Sequence, residues 1–397
     1  MNDIIQRIRP VLRRLAFIVV VLATTHTSIA ADKLGEAQAV RKIERLGGIV
    51  ERDADSPGRH VTAVDFSGSD RLRGKDLSLL LALPRLTSLN LSGTDITDAD
   101  IKQVARLTTL QALDLGDALV TNAGVKRPGE FSDRKDLKLE NVRQTHITDA
   151  GIKELKPLKS LRKLGLRGTN ITDSGLKELR AFTHLTSLNL WATPITNDGL
   201  HELSVLGDLT ELYLSGTKVS NLGLRELKKL DKLTTLNLWN TQITIAGLKP
   251  LEDLPHLTAL GLGLTSIRDA DLDELSQFKH LTTLNLCYNK RITDAGIKKL
   301  WPLQNLRQLG LGGTEVTDRG LRDLGKLENL TALELCNIEL SDRGLQELRE
   351  LKKLTKLEIS STDVTKAGLS AVKKSLPKLN VLRETVFGPN IGGQFPF

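Results

Sequence analysis

Aromatic residues make up only 3% of the 397-residue chain, and it has just two cysteines, Cys287 and Cys336. The first scarcity means that any core is built from Leu, Ile and Val. The second excludes a disulfide-rich scaffold and a structural zinc cluster. Past the N-terminal segment no apolar run approaches the roughly 20 residues needed to cross a bilayer. The net charge of +8, outside an arginine-rich start, is spread too thinly to point to nucleic acid. No Ser-His-Asp order, nucleophile elbow, P-loop or HExxH helix is present. The chain therefore reads as a non-enzyme without cofactor or metal. What it does have, 40% apolar and 26% charged residues, suffices for a packed core and excludes wholesale disorder.

Arg7, Arg9, Arg13 and Arg14 precede an apolar run at 15–23 (LAFIVVVLA), followed by the polar and small stretch TTHTSIAAD. A basic start, a short apolar core and a small-residue cut site define a secretory signal peptide. Residues 1–31 are read as that leader, cut after Ala30 or Ala31, with Ser28 and Ala30 at −3 and −1. The run is too short for a membrane anchor, and no cysteine near the cut offers a lipid attachment. The predicted location is exported, in the periplasm or outside the cell, with no transmembrane segment after cleavage.

From Leu161 the sequence repeats every 24 residues: LRKLGLRGTNITDSGLKELRAFTH, then LTSLNLWATPITNDGLHELSVLGD, with further copies from Leu209, Leu233 and Leu257. A copy with one extra residue starts at Leu281, and others at Leu306, Leu330 and Leu354. Upstream, 86–109 is a full copy, 137–160 is read as a recognisable one, and a weaker one opens at Val61. Self-similarity at this period means a solenoid. In each unit LxxLxL puts its fourth and sixth residues on one side of a short strand. The following GLKELKKL-like segment has apolar residues at i, i+3 and i+6, which suits a short helix with one buried face. Stacking gives an α/β solenoid: parallel strands line a concave face and short helices the convex face. The expected organisation is signal peptide 1–31, N-terminal cap 32–60, repeats 61–382 with an irregular stretch at 110–146, and a C-terminal cap or tail 383–397. In the cap, 37–46 reads as an amphipathic helix stopped by Gly47-Gly48, with a strand at 49–52.

The pattern L-x-x-L-x-L-x-x-T-x-I-T-D-x-G-L resembles that of leucine-rich-repeat proteins, of the bacterial exported 24-residue type. It is also similar to the repeats of ribonuclease-inhibitor-like and F-box-associated proteins. The resemblance covers about residues 61–382 and implies a horseshoe that recognises proteins or other ligands. Thr94, Thr169, Thr193, Thr217, Thr241, Thr265, Thr314 and Thr362 stand where many relatives have Asn, a hydroxyl replacing part of the amide's bonding to the turn.

Several residue columns invite a chemical reading. His184, His256 and His280 share one position, but two neighbouring imidazoles without a third ligand make no metal site. The acids Asp98, Asp149, Asp173, Asp269, Asp294, Asp318 and Asp342 form another column, read as helix caps because Asn197, Asn221, Ile245 and Lys366 interrupt it. Cys287 and Cys336 lie two repeats apart. That is roughly 10 Å at the strand spacing of about 4.8 Å, beyond disulfide reach, so they are expected as free thiols.

The aromatics are more informative. Trp191 and Trp239 fall at the seventh repeat position, Tyr213 at the fifth and Tyr288 at the eighth, all away from the leucine core. Trp191, Tyr213 and Trp239 come from successive repeats and are expected to form one patch. Gly261, Gly263 and Leu264 are expected to leave an open floor before Tyr288. Arg143 and Arg167 extend the seventh-position column as a cationic edge. These six residues are the predicted partner-binding set, and the reading is an exported binding module for a protein, peptide or glycan. Alternatives are a structural envelope or matrix protein without a defined ligand, and a substrate receptor like the F-box-type repeat proteins. The leader and the lack of an F-box region argue against the latter.

Overall fold

A leucine every third or second residue in LxxLxL can be buried only if its strand lies flat against a neighbour of the same pattern. In the computed structural model, which describes residues 35–54, 58–117 and 146–383, each unit contributes one such strand. The strands form a single 14-stranded sheet in sequence order, parallel throughout except for the first pair. Equivalent residues stack: Leu188 pairs with Leu212, Leu212 with Leu236 and Leu236 with Leu260. The inward leucines join in one core running the length of the solenoid.

Each strand is followed by a tight turn and a short convex segment, α-helical at Asp173–Leu179 and Asn197–Leu203 and 3-10 at Ile245–Leu251, where Pro250 removes a helical donor. At the start, helix Glu36–Arg45 buries Ala39, Val40 and Ile43, ends at Gly47 in the left-handed region, and leads into strand Ile49–Arg52, antiparallel to Val61–Asp65. Glu36 ties this cap to the first repeat by accepting from the Val61 amide and pairing with His60. The far end is helix Lys366–Ser375 and strand Asn380–Leu382. The leader and the tail beyond 383 lie outside the described residues.

The repeat count changes in one place. Strand Ala112–Asp114 pairs directly with Lys163–Gly165, Leu113 opposite Leu164. The sheet leaves no slot for a strand between them. Residues 147–152 (ITDAGI) supply the convex half of the turn begun at Leu110, with helix Asp149–Glu154 packed on Asp98–Val104. So the described residues of 110–160 supply one strand and one convex helix, where two repeats would supply two strands to the sheet; residues 118–145 lie outside the described residues.

Side-chain ladders hold the turns together. The threonine at position nine donates to the carbonyl three residues back, at 2.6 Å for Thr94, Thr169, Thr193, Thr217, Thr241 and Thr314. In the one repeat with an extra residue, Asn289 takes this place and does more. Its amide donates to Leu262 and Leu286 carbonyls, and its oxygen accepts from Thr265.

The acidic column works differently from the expected caps. Where a side chain caps the helix it is the preceding Thr or Ser, as at Thr148, Thr172, Thr196, Thr293, Thr317 and Ser341: Thr172 accepts from the Ser174 amide. The acid reaches across to the next turn instead. Asp173 accepts from the Thr196 amide at 2.9 Å and its hydroxyl at 2.6 Å, and Asp149 binds Thr172 in the same way. The glycine two residues further on makes room, since a Cβ at Gly151, Gly175 or Gly199 would run into the preceding turn's Asp. The T-D-x-G signature is thus a rung between turns. A carboxylate at the first helical position still favours the helix dipole, but its hydrogen bonds are spent on the neighbour.

Candidate interaction surface

Outward strand positions form the concave face, and its backbone is braced by short polar side chains at the fifth position. Asn189 accepts from the Trp191 amide at 3.0 Å and Asn237 from the Trp239 amide at 2.9 Å. Asn90, Asp114 and Asn285 do the same two residues on. These Asx turns fix the chain where each tryptophan leaves the strand. The sequence reading missed them, although the N-L-W spacing in both repeats was the available signal.

The next residue, position eight, is left-handed in turn after turn: glycine at Gly93, Gly168, Gly216 and Gly313, but also Ala192, Asn240, Asn337 and Ser361, and the bulky Leu264 at φ +50° and Tyr288 at φ +60°. A bulky residue held there costs on the order of 1–2 kcal/mol. At Tyr288 that cost goes with a specific placement. Its ring lies over Gly313, where a Cβ would fall 2.7 Å from ring carbon Cδ1. It also meets Trp239 edge-on, centroids 5.7 Å apart and planes at 69°. This is the favoured geometry for an aromatic pair.

The predicted residues therefore group in a way the repeat positions do not reveal. Trp239 leans over Gly263 and fills the space expected to be open floor. Trp191, half-buried, has the Arg167 guanidinium stacked on its ring, 4.5 Å from the ring centroid. Arg167 is only 6% exposed; burial lowers its pKa while Asp114 and Asp117 hold it up. It supports Trp191 from beneath and offers no exposed cationic edge. Arg143 lies outside the described residues. Tyr213 stands apart, because a fifth-position side chain rises from the strand rather than its end. The ring contact recorded among the described residues joins Trp239 and Tyr288, not Tyr213. Tyr213 borders a concave hollow of about 350 Å³ whose lining includes Ser88, Asp114, Lys163, Ser187 and Glu211. Gly165 keeps that hollow open, since a Cβ there would lie 2.5 Å from Asp114. Burial, with Glu211 alongside, pushes the Tyr213 phenol up to about 12.

Beyond Tyr288 lies a cluster that sequence reading did not single out. Glu334 and Glu358 stand opposite each other on adjacent strands. Desolvation and the facing Glu358 raise Glu334 to about 7. Cys287 and Cys336 are free thiols, as expected, but both are buried rather than presented on the outer face. Loss of solvent raises both pKa values, and the neighbouring Glu334 carboxylate adds to it. By the rule that low thiolate character means low reactivity, they are inert. Among the described residues no group of three or more His, Cys, Asp or Glu side chains has metal-binding geometry. His256 and His280 are solvent-exposed. No helix among the described residues is long and apolar enough to cross a membrane.

Comparison with known proteins agrees with this geometry. A sequence model described as a leucine-rich repeat matches residues 83–105, 158–179, 279–300 and 350–373. No curated protein matches the chain significantly. Among solved structures, an internalin from Listeria monocytogenes is similar with TM-score 0.51 at 22% identity, over 82% of this chain and 90% of that one. A leucine-rich-repeat protein of Leptospira interrogans, 20% identical over 80% of this chain and 94% of its own, has TM-score 0.37, too loose a likeness to argue from. The first of these likenesses speaks to fold alone. The four matched segments, the one ladder of stacked leucines and the strand-turn-helix unit repeated along a single sheet show that the chain carries leucine-rich repeats and folds as a leucine-rich-repeat solenoid.

Proposed function

We propose that this protein is an exported interaction module that holds a protein partner against its concave side, with Trp191, Trp239 and Tyr288 at the centre of the contact and Tyr213 on the neighbouring floor. The observation that carries the reading is the Trp239–Tyr288 pair, half-exposed and held in one geometry although Tyr288 occupies a left-handed position. Large rigid aromatics bury much area at little entropic cost and dominate interface energies. Arg167 serves this surface by fixing Trp191, and Arg143 belongs to the proposed set by its repeat position alone. Export rests on the N-terminal arginines and short apolar run.

The test is capture of a partner by the immobilised mature chain. Trp191→Ala combined with Trp239→Ala should reduce capture at least tenfold while cooperative unfolding persists. Undiminished capture by the double variant would reject the surface. Self-association of the unmodified chain as the sole interaction would favour the structural alternative.

A further inference from the structure

From Asp98 onward the rungs between turns follow a rule with one break. Nine of the ten successive boundaries carry one, from Asp98–Thr148 to Asp342–Thr365, with Asn197–Ser220 and Asn221–Thr244 as amide versions. Between the turns starting at Leu233 and Leu257 there is none: the accepting position holds Ile245, Arg268 stands where the donating Thr belongs, and Asp271 stands where the Gly belongs. The Arg268 amide is satisfied within its own turn by Asp271 at 3.0 Å. The same self-contained arrangement occurs at Arg73–Asp76 and Thr97–Asp100, at the start of the solenoid. The two solutions exclude each other, because an aspartate at the glycine position fills the space an incoming carboxylate would use. The Leu257 turn therefore begins as the turns from Val61 and Leu86 begin.

On the convex side the other links across this boundary are thin, whereas on the concave side Trp239 packs over Gly263. The convex segments Ile245–Leu251 and Asp269–Leu275 touch more sparsely than any other neighbouring pair among the described residues. One side-chain hydrogen bond crosses it, Thr258 to the Thr234 carbonyl at 3.4 Å, the longest of its ladder. Toward the next turn, by contrast, the Leu257 turn is tied by Asp269 to Thr293, by Asn289 to Thr265 and by Lys299 to Asp273. The sheet itself runs on unbroken, Leu236 opposite Leu260.

We propose that this boundary is a joint. The turns before Leu257 and those after it move as two blocks that pivot on the continuous sheet. The Trp239–Tyr288 contact, whose rings come from opposite blocks, makes and breaks with the motion. This last part rests on the proposed concave surface and gives it a regulation: a partner's side chain enters between the rings when they part.

The joint is measurable without a partner, by spin-label distances in the full mature chain with Cys287 and Cys336 replaced by Ala. Labels at Arg225→Cys and Lys298→Cys span the joint across three turns; labels at Lys177→Cys and Lys249→Cys span three turns within the first block. The distance distribution should be broader across the joint. Ile245→Asp with Arg268→Thr and Asp271→Gly, which installs the missing rung, should narrow it to the control width. Tyr288→Ala, which leaves the convex side untouched, should widen it. Equal widths for the two pairs in the otherwise unaltered chain would overturn the joint whatever the rung variant does, and an unmoved width on Tyr288→Ala would overturn the coupling. Neither result depends on partner capture, so failure of the joint is distinguishable from failure of the binding surface.

Discussion

At the residue scale the most informative groups are those whose chemistry departs from their type. Glu334 has the hydrophobic repeat on both sides and a second carboxylate opposite, and its pKa of about 7 follows from that placement. In the unfolded chain the same group titrates near 4.5, so between the two values the folded state binds the extra proton. Stability from this group is therefore greatest at low pH and declines as pH rises from about 4.5 through 7. Glu334→Gln removes the penalty while preserving a hydrogen-bonding side chain. It should stabilise the protein at pH 8 by about 1–2 kcal/mol, since one pKa unit is worth about 1.4 kcal/mol and the side chain keeps some solvent. It should do little at pH 4.5. Chemical denaturation at the two pH values checks this, and an equal effect at both would remove the carboxylate repulsion as its cause.

Among elements, the rung between turns is the unit that matters. Asp98 bonds the Thr148 amide and hydroxyl at 2.9 and 2.5 Å, and Gly151 leaves room for it. This rung also ties the solenoid across 50 residues of sequence. Asp98→Ala strands two donors and should cost about 1–3 kcal/mol. Gly151→Ala alone should destabilise, because its methyl meets the Asp98 carboxylate. In the Asp98→Ala background the same change should be neutral or stabilising by up to about 1 kcal/mol, the usual helical preference for Ala over Gly. Additive effects in this double-mutant cycle would mean that the glycine is retained for some reason other than the rung. The Asp column was visible in the sequence, but its partner was not. A cap reaches a few residues along the chain, whereas these carboxylates act 23 or 24 residues away.

For the whole molecule, turns communicate chiefly with their neighbours, so stability is a sum of turn-to-turn interfaces and the weakest interface decides where the solenoid gives. That interface falls in the middle of the chain, beneath the Trp239–Tyr288 contact, rather than at a terminus. The N-terminal arginines and the apolar run at 15–23 add a prediction at this scale. Sequencing of the protein recovered from the exported fraction should begin at Ala31 or Asp32; intact Met1 on a soluble cytoplasmic form would exclude cleavage.

Sequence alone determined the solenoid. Inward leucines at fixed positions and a 24-residue period are local properties of the chain, and only stacked parallel strands bury them all. The outward placement of Trp191, Tyr213, Trp239 and Tyr288 followed from the same alternation. Tertiary structure decided what those residues touch: Arg167 beneath Trp191, Gly263 covered by Trp239, Tyr288 set edge-on across two turns. It also decided that the strands at Ala112–Asp114 and Lys163–Gly165 are neighbours, because the sheet register, not the resemblance of a segment to a repeat, counts strands. The burial of both cysteines and the missing rung at Ile245 belong there too. A repeat position specifies which face a side chain takes. Which neighbour meets it depends on side chains a full turn away, which have no fixed relation to it until the turns are stacked.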